Sequence, residues 1–254
     1  MKMDKLYIFA ATFAAAGLLS SCDDFLDKMP DNRAEIDSQE KIRALLVSAY
    51  PNNTYLVFSE YMSDNVDNIG DDNPGTSRFV DQCYAWEDVT EITNDCPKYF
   101  WGGSYEAIAH ANQALLAIQT LAGCEDKPNP EMVAAAGLGP EMAEALLSRA
   151  YNHFILVNVF SIAYNPETST TDLGIPYSEK PETKLNPKYE RGTVAGVYEK
   201  IEKDLEEALP HVSDRYYTVP KYHFNQKAAL AFAARFYLYY GKFEKSVEYA
   251  NRCL

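Results

Sequence analysis

Arg78, Tyr84 and Trp86 lie in one polar stretch without helical periodicity, and their chemistry suits a neutral, ring-shaped ligand. The C–H faces of a sugar ring are apolar and match an aromatic face, while a guanidinium offers several donors to the hydroxyl rim. Covering about 100 Å² of apolar surface contributes roughly 2.5 kcal/mol. Even millimolar affinity needs about −4 kcal/mol, so one stacked ring falls short. Polar neighbours such as Arg78, Asp81 and Asn65 must add hydrogen bonds. Trp86 leads because it is one of only two tryptophans and belongs to no apolar stripe; Tyr84 and Arg78 are secondary. The competing role for a loop aromatic is a hydrophobic plug that pins the loop to its domain. Trp101, in contrast, starts a helix and reads as packing.

Other chemistry finds little support. There is no G-x-S-x-G elbow and no P-loop, and GLGPEM lacks the third glycine and preceding strand of a dinucleotide site. The four histidines, His110, His153, His211 and His223, show no H-E-x-x-H or other ligand spacing. His153 lies in an apolar helix and reads as a satisfied core histidine. Carboxylates are plentiful, but nothing singles out the two that a glycosidase would fix across a cleft. Asp64, Asp67, Asp71 and Asp72 are close enough to resemble a calcium loop, yet their spacing to Gly70 or Gly75 misses the EF-hand pattern, and a solvated acidic loop is the better reading. Neither an enzyme nor a cofactor is expected. No C-x-x-C occurs, so zinc and thioredoxin-type sites are not indicated. Cys83 and Cys96 flank one loop where secretion would permit a bridge, although a helical core of this size needs no staple.

The elements that position these residues are helices. Asp37 to Glu40 reads as a capping box, and Ile42, Leu45, Leu46 and Ala49 form the stripe of a first helix ending by Pro51. From Asn52 to Lys98 no helical period persists, and a loop that long inside a domain is more often functional or disordered. A second helix runs from Trp101 or Tyr105 to Leu121, with Ile108, Leu115 and Ile118 inward and Gly123 closing it. Pro140 opens the longest helix, which is apolar on most sides in its second half and is stopped at Pro166. Asn165 to Arg191 is irregular. Thr193 caps a helix carrying Val197, Tyr198, Ile201 and Leu205 on one face, ended by Pro210. Tyr198, Phe232, Phe236, Tyr237 and Tyr240 sit at helical spacing and are expected in the core.

Asn225 to Leu254 then forms a helix pair: Asn225 as cap, Leu230, Ala234 and Tyr237 inward, Gly241 as a left-handed C-cap, and Ser246, Ala250 and Cys253 as a shallow face on the second helix. This arrangement resembles a tetratricopeptide (TPR) unit, which buries both faces only by stacking on neighbours. The expected fold is all-α, a TPR-like scaffold of helical hairpins with long irregular loops.

Residues 1–21 stand apart from that domain. Lys2 and Lys5 precede an apolar run from Leu6 to Leu19, too short for a membrane span and right for a signal-peptide core. Leu19-Ser20-Ser21-Cys22 resembles a bacterial lipobox, which implies that Cys22 is lipidated and begins the mature chain, residues 22–254. Several acyl chains on Cys22 would anchor it without a transmembrane helix. Over the whole chain there are 23 basic and 37 acidic residues, a formal charge of −14. So acidic a chain excludes nucleic acid as a partner and disfavours docking on anionic headgroups.

Six segments in order resemble the SusD/RagB family: CDDFLDKMPDN, YMSDN, WGGSYEAIAHANQALLAI, AEALLSRAYNHFILVNVFS, TVAGVYEKIEKDLEEALP and the final helix pair. The resemblance implies binding without catalysis, by an outer-membrane lipoprotein facing the cell exterior. Such proteins capture glycans, or peptides in the RagB branch, and act as a lid on a SusC-type TonB-dependent transporter. It also implies that the stretch around Trp86 is where ligand contacts fall. Family members run on beyond the position of Leu254, so the chain is expected to be truncated, with Val247 and Leu254 lacking partners. The alternative function is a lipid-anchored helical scaffold that binds a protein.

Overall fold

The computed structural model describes residues 35–70, 77–125, 129–184 and 187–254. The chain divides into two units, Met1–Ile36 and Asp37–Leu254, and everything below concerns the second. Cys22 and the signal segment lie outside the described residues. The described residues form nine α-helices with short 3₁₀ turns; between them the only β pairing is an isolated bridge from Leu173 to Thr193. The all-α expectation holds.

Helices α1 (Gln39–Leu46), α4 (Pro97–Leu121), α6 (Gly139–Phe160) and α7 (Val194–Ala208) form the scaffold, with α6 packed against the other three. Seventeen of its residues are buried, so α6 is enclosed by neighbours nearly all round. The short helix α5 (Pro130–Ala135) also rests on it. The last pair, α8 (Gln226–Tyr239) and α9 (Phe243–Cys253), folds back on itself and reaches α6 through aromatic rings. Phe154 of α6 meets Phe232 at 5.7 Å and Phe236 at 6.0 Å, and Tyr198 of α7 stacks on Phe236 at 5.7 Å. Of the expected core aromatics, Tyr198, Phe232, Phe236 and Tyr237 are buried, whereas Tyr240, the residue that caps the end of α8, is only half-buried.

Several expected boundaries hold. Thr193 accepts from Gly196 N to start α7, and Asn225 accepts from Ala228 N to start α8. Gly123 and Gly241 follow their helices with φ of 71° and 74°.

Others are corrected. The cap of α1 is Ser38, which accepts from Lys41 N, while Asp37 pairs with Lys41 at 2.7 Å. Helix α4 begins at Pro97, four residues before Trp101, because proline suits a first turn that needs no N–H there; at 25 residues it exceeds α6, which has 22. Helix α6 stops at Phe160, well before Pro166, where the Arg191 guanidinium donates to the Phe160 carbonyl at 3.3 Å and satisfies an end group. On α9, Ser246 and Cys253 meet the preceding helix as expected, donating to the Ala234 carbonyl at 2.8 Å and the Lys227 carbonyl at 3.5 Å, but Ala250 is exposed, and the buried residue of that face is Tyr249, stacked on Tyr237 at 5.5 Å. Val247 and Leu254 are exposed, as expected.

The largest correction falls in the stretch from Asn52 to Lys98. It holds two short helices, α2 (Leu56–Tyr61) and α3 (Arg78–Tyr84), which pack on each other. Each buries too little apolar surface to show a full helical stripe in sequence: Phe58 from α2, Phe79, Gln82 and Cys83 from α3. The Phe79 and Tyr61 rings meet edge to face at 6.0 Å.

Candidate functional site

Arg78, Tyr84 and Trp86 belong to α3 and its C-terminal turn. Ser77 starts the helix by accepting from Val80 N at 3.2 Å. Gln82 then ties it to the following segment, accepting from Thr90 N (3.0 Å) and Glu91 N (3.3 Å) while donating to the Thr90 hydroxyl (2.9 Å). The inward face of the helix and its partner segment are thereby fixed. Arg78, Asp81 and Tyr84 recur every three residues and all are exposed, so they share the outward face.

The helix ends in a Schellman turn: Trp86 N donates to Cys83 O at 3.2 Å and Glu87 N to Gln82 O at 2.9 Å. The same pair of bonds closes α4 at Gly123, α5 at Gly137 and α8 at Gly241. In those three turns the left-handed position is glycine; here it is Trp86, with φ 55°, alone among the described non-glycine residues in having positive φ. A side chain there costs about 1–2 kcal/mol that glycine avoids. Trp86 is also 73% exposed, so the small area it covers does no more than roughly balance that cost. A plug would be buried, and Trp86 is not. Tyr84 is 40% exposed, and Ile92 nearby in sequence 53%. Asn65 donates to Glu60 at 3.1 Å.

Beneath this surface, Cys83 and Cys96 are buried, free thiols. Burial, and to a smaller extent Cys96, holds the Cys83 thiol above its ordinary value. Asp64 and Asp67 are exposed; Asp67 accepts from Asn68 N at 2.8 Å and shapes the turn. Asp71 and Asp72 lie outside the described residues. Among the described residues no three His, Cys, Asp or Glu side chains are grouped to hold a metal. Trp101 packs against Phe160 at 4.9 Å and Tyr105 at 5.0 Å, as expected of a packing residue.

His153 is fully buried and satisfied at both nitrogens, by the Arg149 carbonyl at 2.8 Å and Ser178 N at 3.1 Å. Burial pushes its pKa down to about 3, so the ring is neutral. It belongs to a polar cluster that the sequence did not disclose. Arg149 makes a two-pronged pair with Asp204, both bonds 2.7 Å, and also donates to Asn112 and to the Glu179 carbonyl. Tyr177 donates to Asp204 at 2.7 Å and stacks on His153 at 3.8 Å. Burial disfavours the charged guanidinium, but Asp204 outweighs it and holds Arg149 protonated. The cluster fastens the irregular segment 177–180 across α4, α6 and α7. Its groups bond one another, which fits a role in holding that segment in place.

What sequence reasoning missed at the site was the short helix and the conformation of Trp86. A serine followed by Phe79, Gln82 and Cys83 on one face was the available signal for the helix. No signal marked Trp86 as the left-handed residue, because that position is ordinarily read from glycine.

The chain from residue 24 to 238 matches a SusD-like family described as starch-binding and associating with the outer membrane. No curated protein matches. Among solved structures, a SusD superfamily protein from Bacteroides fragilis is 23% identical with a TM-score of 0.63, over 85% of this chain and 49% of that one. A SusD superfamily protein from Bacteroides thetaiotaomicron is 20% identical with a TM-score of 0.62, over 87% and 46%. A laminarin-binding SusD-like protein is 21% identical with a TM-score of 0.58, over 85% and 43%. These likenesses establish the fold, and the chain spans just under half the length of each. With the matched family covering most of the sequence and the helical scaffold agreeing, this chain belongs to the SusD-like family, a carbohydrate-binding rather than catalytic one.

Proposed function

We propose that this chain captures glycans at the outer surface of the outer membrane and hands them to a SusC-type TonB-dependent transporter. In this reading Cys22 carries the lipid anchor, and Trp86, with Tyr84 and Arg78, supplies the ligand surface. The observation that carries it is Trp86 itself: a large aromatic held in a turn whose three counterparts are glycine, and left 73% exposed. Strain of this kind at an exposed position persists where function uses it. The outward face of α3 adds a guanidinium, a carboxylate and a phenol, the mixed donors and acceptors that sugar hydroxyls need. The family's description and the laminarin-binding relative support a glycan over a peptide.

Glycan-array binding by the full chain and by Trp86→Ala tests this. Wild type is expected to bind, and the variant to bind about 5- to 150-fold more weakly while folding normally. Equal binding by the two would remove Trp86 from the site. A second reading, a scaffold for a protein partner, draws on exposed Leu238, Phe243 and Val247 of the last helix pair. Glycan binding with no Trp86 dependence would favour a different glycan surface, and absence of any glycan binding would favour the protein scaffold.

A further inference from the structure

We propose that the cavity between α1, the start of α6 and the turns at residues 216–223 is a second saccharide site, separate from the Trp86 turn. The inference rests on the glycan reading and extends it to another part of the chain.

The cavity encloses about 500 Å³, within the roughly 300–1,000 Å³ of small-molecule sites. Its apolar walls come from Ala44, Val47, Pro140 and Val219, and its aromatic ones from Tyr216, Tyr217 and Tyr222. Two glutamates about one turn apart on α6, Glu141 and Glu144, line it, and each is only 3% exposed.

The two carboxylates differ in what they still need. Glu144 accepts from the Tyr50 hydroxyl at 2.7 Å and from His223 Nδ1 at 2.7 Å. Glu141 Oε1 accepts from Arg43 Nε at 2.6 Å and Gln39 Nε2 at 2.9 Å, whereas its Oε2 is buried with no partner among the described residues. A buried carboxylate oxygen without a donor is costly, so a donor brought by a ligand recovers that cost.

The kind of donor follows from the charges. Arg43, at 2.6 Å, already balances Glu141, so the unmet need is a hydrogen bond and not a counter-charge. Among the described residues the Arg43 Nη groups donate to no hydrogen-bond acceptor, and they, with the hydroxyls of Thr218, Tyr216 and Tyr222, offer donors beside that lone acceptor. A sugar hydroxyl both donates and accepts, and fits such a mixed rim; an ammonium would need acceptors in excess. The aromatic side is partly committed. Arg43 covers Tyr216 at 4.3 Å, and His223 lies flat on Tyr217 at 4.3 Å. Tyr222, 76% exposed and without a ring partner among the described residues, keeps its faces available to stack on a pyranose.

Calorimetric titration of the full chain with maltoheptaose and with laminarihexaose tests this, using Tyr222→Ala, Glu141→Gln, Trp86→Ala and the Tyr222/Trp86 double variant. Tyr222 is exposed, so its variant stays folded; melting curves check Glu141→Gln. Two sites are expected in wild type for a bound probe. Tyr222→Ala should weaken one of them about tenfold or more and leave the other, with the double variant losing both. Loss of binding in Tyr222→Ala but not in Trp86→Ala would uphold this site and overturn the Trp86 assignment. A single site, removed by Trp86→Ala and untouched by Tyr222→Ala, would overturn the second site while the glycan reading stands. No binding of either probe by wild type would overturn both.

Discussion

Replacing Trp86 by glycine separates its two possible roles, because the roles demand opposite responses. Trp86 is 73% exposed. Of the ~250 Å² that a tryptophan can bury, about 70 Å² is covered, worth at most roughly 1.7 kcal/mol. Against that, the left-handed conformation costs a residue with a side chain about 1–2 kcal/mol, which glycine recovers. The two nearly cancel, so Trp86→Gly is expected to change stability by no more than about 1 kcal/mol, or roughly 4 °C in Tm for a domain of this size. A buried tryptophan plug would instead cost about 3–5 kcal/mol, a drop of roughly 6 °C or more. Scanning calorimetry reads the stability, and titration with laminarin or maltoheptaose reads the affinity. The expected result is an unchanged or slightly raised Tm together with about 1–3 kcal/mol of lost binding. An early melt with undiminished affinity in the folded fraction would refute the reasoning, turn geometry included.

Three further outcomes are expected. Asp204→Ala leaves the Arg149 guanidinium, 7% exposed, without its counter-charge; it should cost about 3–5 kcal/mol, and a Tm within a degree of wild type would show that the pair is dispensable. His153 has its pKa lowered from 6.5 to about 3, so the unfolded chain takes up a proton that the folded chain refuses. The stability owed to neutral His153 is therefore complete above about pH 6.5 and falls as pH drops toward 3, by up to about 1.4 kcal/mol per unit. Urea midpoints for wild type and His153→Gln over that range should diverge in slope, and parallel slopes would contradict the assignment. Mass spectrometry of the membrane-bound protein should show a chain starting at Cys22 with acyl mass added; an intact soluble chain with unmodified Cys22 would count against lipidation.

The scaffold was legible where one residue type settles a local conformation. Thr193 and Asn225 cap because their side-chain oxygens reach first-turn amides, and Gly123 and Gly241 end helices because they take positive φ without a Cβ clash. The apolar second half of α6 announced burial before any partner was known. Legibility failed where the determining contact is distant in sequence. The terminal carbonyl of α6 is met by Arg191, thirty-one residues on from Phe160, and the Arg149 cluster joins four segments that share no local pattern. At the candidate site Trp86, Tyr84 and Arg78 were singled out by residue type, by the lack of a helical period around them and by the family resemblance. Their arrangement could not be read that way, because seven-residue α3 is too short to show a period and the tryptophan occupies a glycine position. The cavity near Glu141 was equally hidden: α1, α6 and the 216–223 turns meet only in the folded chain.

The central claim is glycan capture, and binding of the full 254-residue chain to an array of defined neutral glycans tests it most directly. The account expects selective binding to a subset of neutral polysaccharides or oligosaccharides, lost or sharply weakened in Trp86→Ala at matched folded concentration. No binding to any glycan by well-folded wild type, with capture of a protein partner instead, would contradict it.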